Sequence, residues 1–303
     1  VCLRATEPGR GDRQPGLPEY LSRLGHNAGQ ATKKGVFAVL HPTLQQHPRP
    51  VGSTIRTYFR GFGMNRHRAG AWAWILSAVL LPIQVVVALS WPNGYSWSRN
   101  AISDLGVTSC GEFSELGQQI REVCSPAHAI FNVGMIVSGS LVLLGAILLY
   151  GYWDCLAGRV GVACMALVGV SIIGVGVSPW DVSPAIHDGF ALVQAAAQWL
   201  AMALIAFAAG PGWLRRLTII VLFVSFVGFT VFVAALDGYD VPWIGLGGVE
   251  RLSFDSLTIW TALTGAALLV AISRSGASRH AMPNHLRDEA RGRSAKPLAV
   301  RDH

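Results

Sequence analysis

Ala127-His-Ala-Ile-Phe131-Asn132-Val-Gly134-Met-Ile-Val-Ser138-Gly-Ser-Leu-Val-Leu-Leu-Gly145-Ala-Ile-Leu-Leu-Tyr150 contains no Asp, Glu, Lys or Arg. Its apolar residues neither alternate nor stop after six or eight positions, which excludes a strand. A helix needs about 20 such residues to cross the hydrocarbon core of a bilayer, and this stretch supplies them. Five further stretches have the same character: 70–90, 156–177, 187–209, 217–236 and 252–272. The sequence therefore predicts an all-α, polytopic membrane protein, a bundle of six transmembrane helices. Pro82 lies inside the first of them and predicts a kink, tolerable where neighbours cover the freed carbonyl. That run is too long and too proline-interrupted for a cleaved leader, although Ala88-Leu89-Ser90 has the right small residues.

Composition agrees. Of 303 residues, 51% are hydrophobic and only 14% charged, against about 25% charged in soluble domains. The net charge of +7 belongs to the ends of the chain. Residues 1–63 hold nine Lys/Arg against three acids, and 273–303 hold seven against three. That leaves eight basic and eleven acidic residues in 64–272. Basic tails beside a bilayer suit its anionic face, and no nucleic-acid partner is expected. Residues 1–63 are broken by six prolines and show no periodicity, so they read as a disordered basic extension. Alternatively they precede the natural start, because Met64-Asn-Arg-His-Arg68 has the form of a charged flank before a first membrane segment. The domains expected are thus 1–63, a six-helix domain at 64–272, and a disordered basic cytoplasmic tail at 273–303.

Loop charge sets the expected orientation. Arg66, Arg68, Arg159, Arg215, Arg216, Arg274 and Arg279 fall at alternate ends of the six runs, the side that the positive-inside rule assigns to the cytoplasm. Both termini are expected inside, in the plasma (inner) membrane, with lipid as the partner on all sides. Trp91, Trp97, Trp180 and Trp243 then mark the outer interface, and Trp74, Trp153 and Trp213 the inner one. Cys110 and Cys124 lie in the first outer loop. Joined, they close a loop of about 15 residues, worth roughly 3 kcal/mol in the chain-entropy model. The alternative is two free thiols, at odds with an oxidising compartment.

Polar residues gather on the same side. Asp104, His187 and Asp188 are candidates for general acid–base catalysis, with His187 as base and a carboxylate to orient it. Asn100, Ser103, Asn132, Asp181, Glu250 and Arg251 are candidates for a polar binding network. Each also has a structural reading. Ser103 or Asp104 suits the cap of a short helix starting near Leu105. Asn132 suits an interhelical hydrogen bond. Asp181 has turn chemistry, and Asp188 suits the first turn of a helix. Glu250 and Arg251 make a plausible solvated pair. No His-x-x-x-His, His-Glu-x-x-His or Gly-x-Ser-x-Gly pattern occurs, so no metal ligands and no cofactor are expected.

The block Asn100-Ala-Ile-Ser103-Asp104-Leu-Gly106, then Phe131-Asn132, then Gly174-Val-Gly176-Val-Ser178-Pro179 with His187 beyond it, then Glu250-Arg251, resembles the six-helix membrane family called domain of unknown function 998. The resemblance covers about residues 70–272 and rests on the order of these motifs. Where that family usually carries Phe-Pro after the third helix, this chain has Ser178-Pro179. The resemblance implies a fold and the position of a site, and no reaction. The function expected is an outward-facing polar pocket that binds or processes a lipid or small envelope molecule. The alternatives are a structural or assembly subunit of an envelope complex, and a transporter that is not ion-coupled. Whether the protein is an enzyme is left open, and protein partners are not indicated.

Overall fold

The computed structural model describes residues 65–113 and 120–281. The expectations for 1–63, and for the tail beyond Ala281, lie outside the described residues. Six helices are long and apolar enough to cross a membrane: α1 (Asn65–Leu89), α2 (His128–Leu149), α3 (Leu156–Val177), α4 (Pro184–Ala209), α5 (Trp213–Leu236) and α6, which spans as Gly245–Arg274 and runs on to Ala281. The chain is therefore a multi-pass membrane protein. Each helix packs against its neighbours in sequence, and α6 returns to α1, so the bundle closes as a ring.

In lipid, packing replaces the hydrophobic effect between helices, and small residues let backbones approach. A Cβ on Gly139 of α2 would stand 2.7 Å from the Gly169 carbonyl oxygen of α3. No side chain larger than hydrogen fits there. Polar side chains tie the helices across the interior. Gln198 of α4 donates to Thr261 Oγ1 and to the Leu257 carbonyl of α6, both at 3.0 Å. The large apolar residues on the outside, such as Ile220 and Phe223 on α5, face the surface a bilayer solvates.

Pro82 acts one turn upstream of itself. It has no N–H to offer the Ala78 carbonyl, and α1 tightens into a 3-10 turn over Ser77–Val79. Ser138 of α2 covers the altered turn by donating to the Ser77 carbonyl at 2.8 Å.

Several boundaries differ from those the sequence predicts. α4 begins at Pro184 rather than 187, because a proline with fixed φ suits the first helical position. α6 begins at Gly245 and continues past 272, so Glu250 and Arg251 sit more than a turn inside it. Residues 273–281, expected to be disordered tail, are helical; they contain no proline, and Pro283 follows shortly after. Trp74, Trp91 and Trp153 are buried against the protein rather than presented at its surface. Trp74 spends its indole N–H on the Val142 carbonyl at 3.1 Å. Trp97, Trp213 and Trp243 are exposed, as a belt requires.

The fold is also not purely helical. The connection from α1 to α2 contains an antiparallel hairpin of β1 (Gly111–Phe113) and β2 (Arg121–Val123), in register Gly111↔Val123, Glu112↔Glu122 and Phe113↔Arg121. Three-residue strands leave no visible alternation. A Cys110–Cys124 disulfide, S–S 2.01 Å, closes the hairpin at its base. The hairpin end of the bundle is where α1, α3 and α5 finish and α2, α4 and α6 start.

Candidate functional site at the hairpin end

The Asn100–Gly106 motif is a compact knot of main chain that side chains from several elements hold down. Residues 96–100 turn on themselves: Asn100 N–H donates to the Ser96 carbonyl at 2.8 Å, and Ser96 N–H to Asn100 Oδ1 at 3.0 Å. A 3-10 turn follows at Ser103–Gly106. It starts two residues before the expected helix and has no side-chain cap, so neither Ser103 nor Asp104 plays the capping role. Asp104 instead reaches back to accept Ala101 N–H at 2.9 Å, and Asn100 Nδ2 lies 3.4 Å from the same oxygen.

Asp104 is almost wholly buried, and its charge is answered by Arg121 of β2. Arg121 Nε donates to Oδ2 at 2.8 Å and Nη2 to Oδ1 at 2.9 Å. A fork matched to a carboxylate in this way is the strongest pairing available to arginine. Glu250, on α6 and also buried, accepts the Ile102 N–H. Beside it, Arg251 donates through Nη1 to the carbonyls of Asn100 (3.1 Å), Trp97 (3.3 Å) and Gly247 (2.7 Å), and through Nη2 to the Tyr95 hydroxyl. Its guanidinium lies 4.8 Å from the Trp97 ring centroid and 5.3 Å from that of Tyr95. Tyr95 in turn donates to the carbonyls of Asn100 and Ala101. Burial pushes the Tyr95 hydroxyl pKa up, outweighing the pull of the Arg251 charge and its hydrogen bond. The loop lies so close on α6 that Gly247 N–H meets the Ser98 carbonyl at 2.8 Å. A Cβ on Gly247 would collide with the Asn100 carbonyl.

Other candidates pin the same loop from different sides. Asn132 of α2 donates to the Gly106 carbonyl at 2.9 Å. Asp181, between α3 and α4, accepts the backbone N–H groups and hydroxyls of Thr108 and Ser109. Partial burial alone would raise its pKa, but hydrogen bonds, chiefly from the Thr108 hydroxyl and N–H and the Ser109 hydroxyl, outweigh burial and hold the carboxyl below its ordinary value.

Asn100, Asp104, Glu250 and Arg251 thus come together, while Asn132 and Asp181 reach the same loop farther along. His187 does not join them. Its Nδ1 lies 2.9 Å from the Ser178 carbonyl, and Asp188 points out to solvent. Adjacent residues on a helix diverge by about 100°, and no hydrogen bond links His187 to Asp104 or Asp188 among the described residues. Ser103 adds no hydrogen bond to the knot there either. His128 is likewise turned to a carbonyl, that of Ser125, at 2.9 Å. Among the described residues no three His, Cys, Asp or Glu side chains gather.

Tyr95 and Arg121 belong to the knot without being expected there from sequence, and Trp97, expected only as an interfacial residue, belongs to it too. The available signals were the closeness of Tyr95 and Trp97 to Asn100, and an arginine three residues before a paired cysteine. Between this loop and the α5–α6 connection lies an open cleft of about 670 Å³. Arg99, Asn100, Arg121, Glu122 and Asp240 supply its polar lining, and Trp91, Tyr239 and Leu246 its apolar lining.

No curated protein and no solved structure matches the chain. A family model does, described as a protein of unknown function (DUF998), and it matches residues 75–267. That match runs from inside α1 to inside α6 and takes in the whole knot, so the chain belongs to the DUF998 family.

Proposed function

We propose that the protein binds a lipid or small envelope molecule in the cleft at its hairpin end, and that this end faces outward from the plasma membrane with both termini cytoplasmic. The cleft is the observation that carries this reading. Its volume of about 670 Å³ falls within the range of about 300–1,000 Å³ usual for ligand sites. Its lining mixes two cations, two anions and two amides with aromatic surface. Orientation rests on the arginines at the opposite end and on the disulfide, which suits an oxidising compartment. In this reading Asn100, Asp104, Glu250 and Arg251 are the frame of the site, since their polar atoms are largely engaged with protein. Catalysis by His187 is not part of it, because Nδ1 is already engaged and no carboxylate orients the ring.

The test uses the full chain in nanodiscs, with thermal unfolding read in the presence of glycerol 3-phosphate, phosphoethanolamine or N-acetylglucosamine. A saturable shift with one probe, abolished by Arg99→Ala and Asp240→Ala, supports binding in the cleft. Three null results in the wild type sink it. A second reading, as an assembly subunit, is favoured by Trp243 and Tyr239, which are 95% and 69% exposed on the α5–α6 connection.

A further inference from the structure

A second concavity lies on the lipid side of α6. The groove of about 420 Å³ follows one stripe of the helix, Gly248, Leu252, Ser256 and Ile259, with Ile244 just before it, under the Trp97 ring. Leu252 and Ile259 are 41% and 44% exposed, on a surface that in a bilayer meets acyl chains. Two charged residues line it, Arg251 and, one turn deeper, Asp255. They form no ion pair with each other among the described residues. Arg251 Nε is buried there without a hydrogen-bond partner. Asp255 accepts one hydrogen bond, from Gln84 Nε2 of α1 to Oδ1 at 2.7 Å, and no donor among the described residues reaches its other oxygen.

Charges inside a spanning segment are costly unless something compensates them, and they mark sites for polar ligands. Here a cation and an anion sit at i and i+4, about 5–6 Å apart at Cβ, and open onto an apolar trough. That pattern complements a headgroup carrying a phosphate and a nearby ammonium. A purely anionic headgroup satisfies Arg251 and leaves Asp255 facing a like charge. A quaternary ammonium offers Asp255 charge but no N–H donor.

We propose that this groove seats a zwitterionic phospholipid with a primary amine. Its phosphate lies at the level of Arg251, its ammonium turns inward to Asp255, and its acyl chains run against Leu252 and Ile259. The groove and the cleft share Ser98, but Arg251 and Asp255 do not line the cleft, so ligand binding in one does not require it in the other.

The experiment reconstitutes the full chain in nanodiscs of equal phosphatidylethanolamine, phosphatidylcholine and phosphatidylglycerol, then quantifies by mass spectrometry the lipid retained after detergent extraction. Ethanolamine lipid should be retained about tenfold over either competitor, the ratio expected of one charge-assisted contact. Asp255→Asn should level that preference. Ser256→Leu, which fills the trough without touching either charge, should lower retention of the ethanolamine lipid. It carries the test alone if the asparagine variant fails to fold. Equal retention of all three lipids by the wild type means annular lipid only and overturns the proposal. So does retention of the choline lipid equal to that of the ethanolamine lipid, or an undiminished preference in Ser256→Leu.

Discussion

Arg121 and Asp104 form a two-pronged ion pair, 2.8 and 2.9 Å, with side chains only 7% and 1% exposed. Removing one partner strands the other charge out of water, at about 3–5 kcal/mol. Arg121→Ala and Asp104→Asn should each destabilise by that order in denaturant unfolding. The double variant should lose clearly less than the sum, because neither leaves a charge behind. Additive losses would mean that the two do not act as a pair.

Glu250 matters to the loop as an acceptor for Ile102 N–H. Glu250→Gln keeps an acceptor oxygen and should be tolerated. Glu250→Leu leaves the amide unpaired and should cost about 1–3 kcal/mol. Hydrogen exchange at Ile102 provides the local readout, and it should quicken in the leucine variant alone.

Asp181 sets a pH dependence. Its carboxyl is held below the ordinary value by the donors of Thr108 and Ser109. A depressed folded-state pKa contributes stability that is fully present above the unfolded value, about 3.9. It is lost as pH falls through the folded value. Exchange protection of the Thr108 and Ser109 amides should therefore hold at neutral pH and decline below about pH 4. In Asp181→Asn it should be weak throughout and lack the acid step.

Thiol labelling tests the staple. Cys110 and Cys124 should resist labelling before reduction and accept it afterwards. Reduction should lower stability by roughly 3 kcal/mol, and less in Arg121→Ala, where the hairpin no longer delivers its guanidinium to Asp104.

Reporter fusions test orientation. Those after Gly94, Val182 and Gly238 should read out as external, and those after Gly151 and Gly210 as cytoplasmic. A cytoplasmic signal at Val182 would reverse the assignment.

The six helices were legible because crossing a bilayer demands about 20 apolar residues, a constraint written directly into composition. α3 was bounded to the residue, since polar turns flank it on both sides. α6 was not, because helical hydrogen bonding outlasts apolar composition at both of its ends. The burial of three tryptophans was not legible for a related reason. An indole near a helix end is ambiguous until its N–H partner is known, and for Trp74 that partner lies 68 residues away on α2. Of the candidate polar residues, Asn100, Asp104, Glu250 and Arg251 do converge, yet sequence could not show what they converge on. Their partners are mainly backbone groups, which every residue carries and no residue name reveals.

The Ile102 amide and its acceptor on Glu250 are 148 residues apart, whereas Asp104 and Arg121 are separated by 17. As the chain leaves the ribosome, the ion pair and the disulfide beside it have both halves in hand before α2 is made. The Asn100 carbonyl and the Ile102 amide must wait for the last helix. Sequence order therefore allows the local clasp to form early and puts the lock to α6 at the end of synthesis. A nascent chain cut short before Glu250 keeps the clasp and lacks the lock, which makes completion of this loop a report that all six helices have arrived.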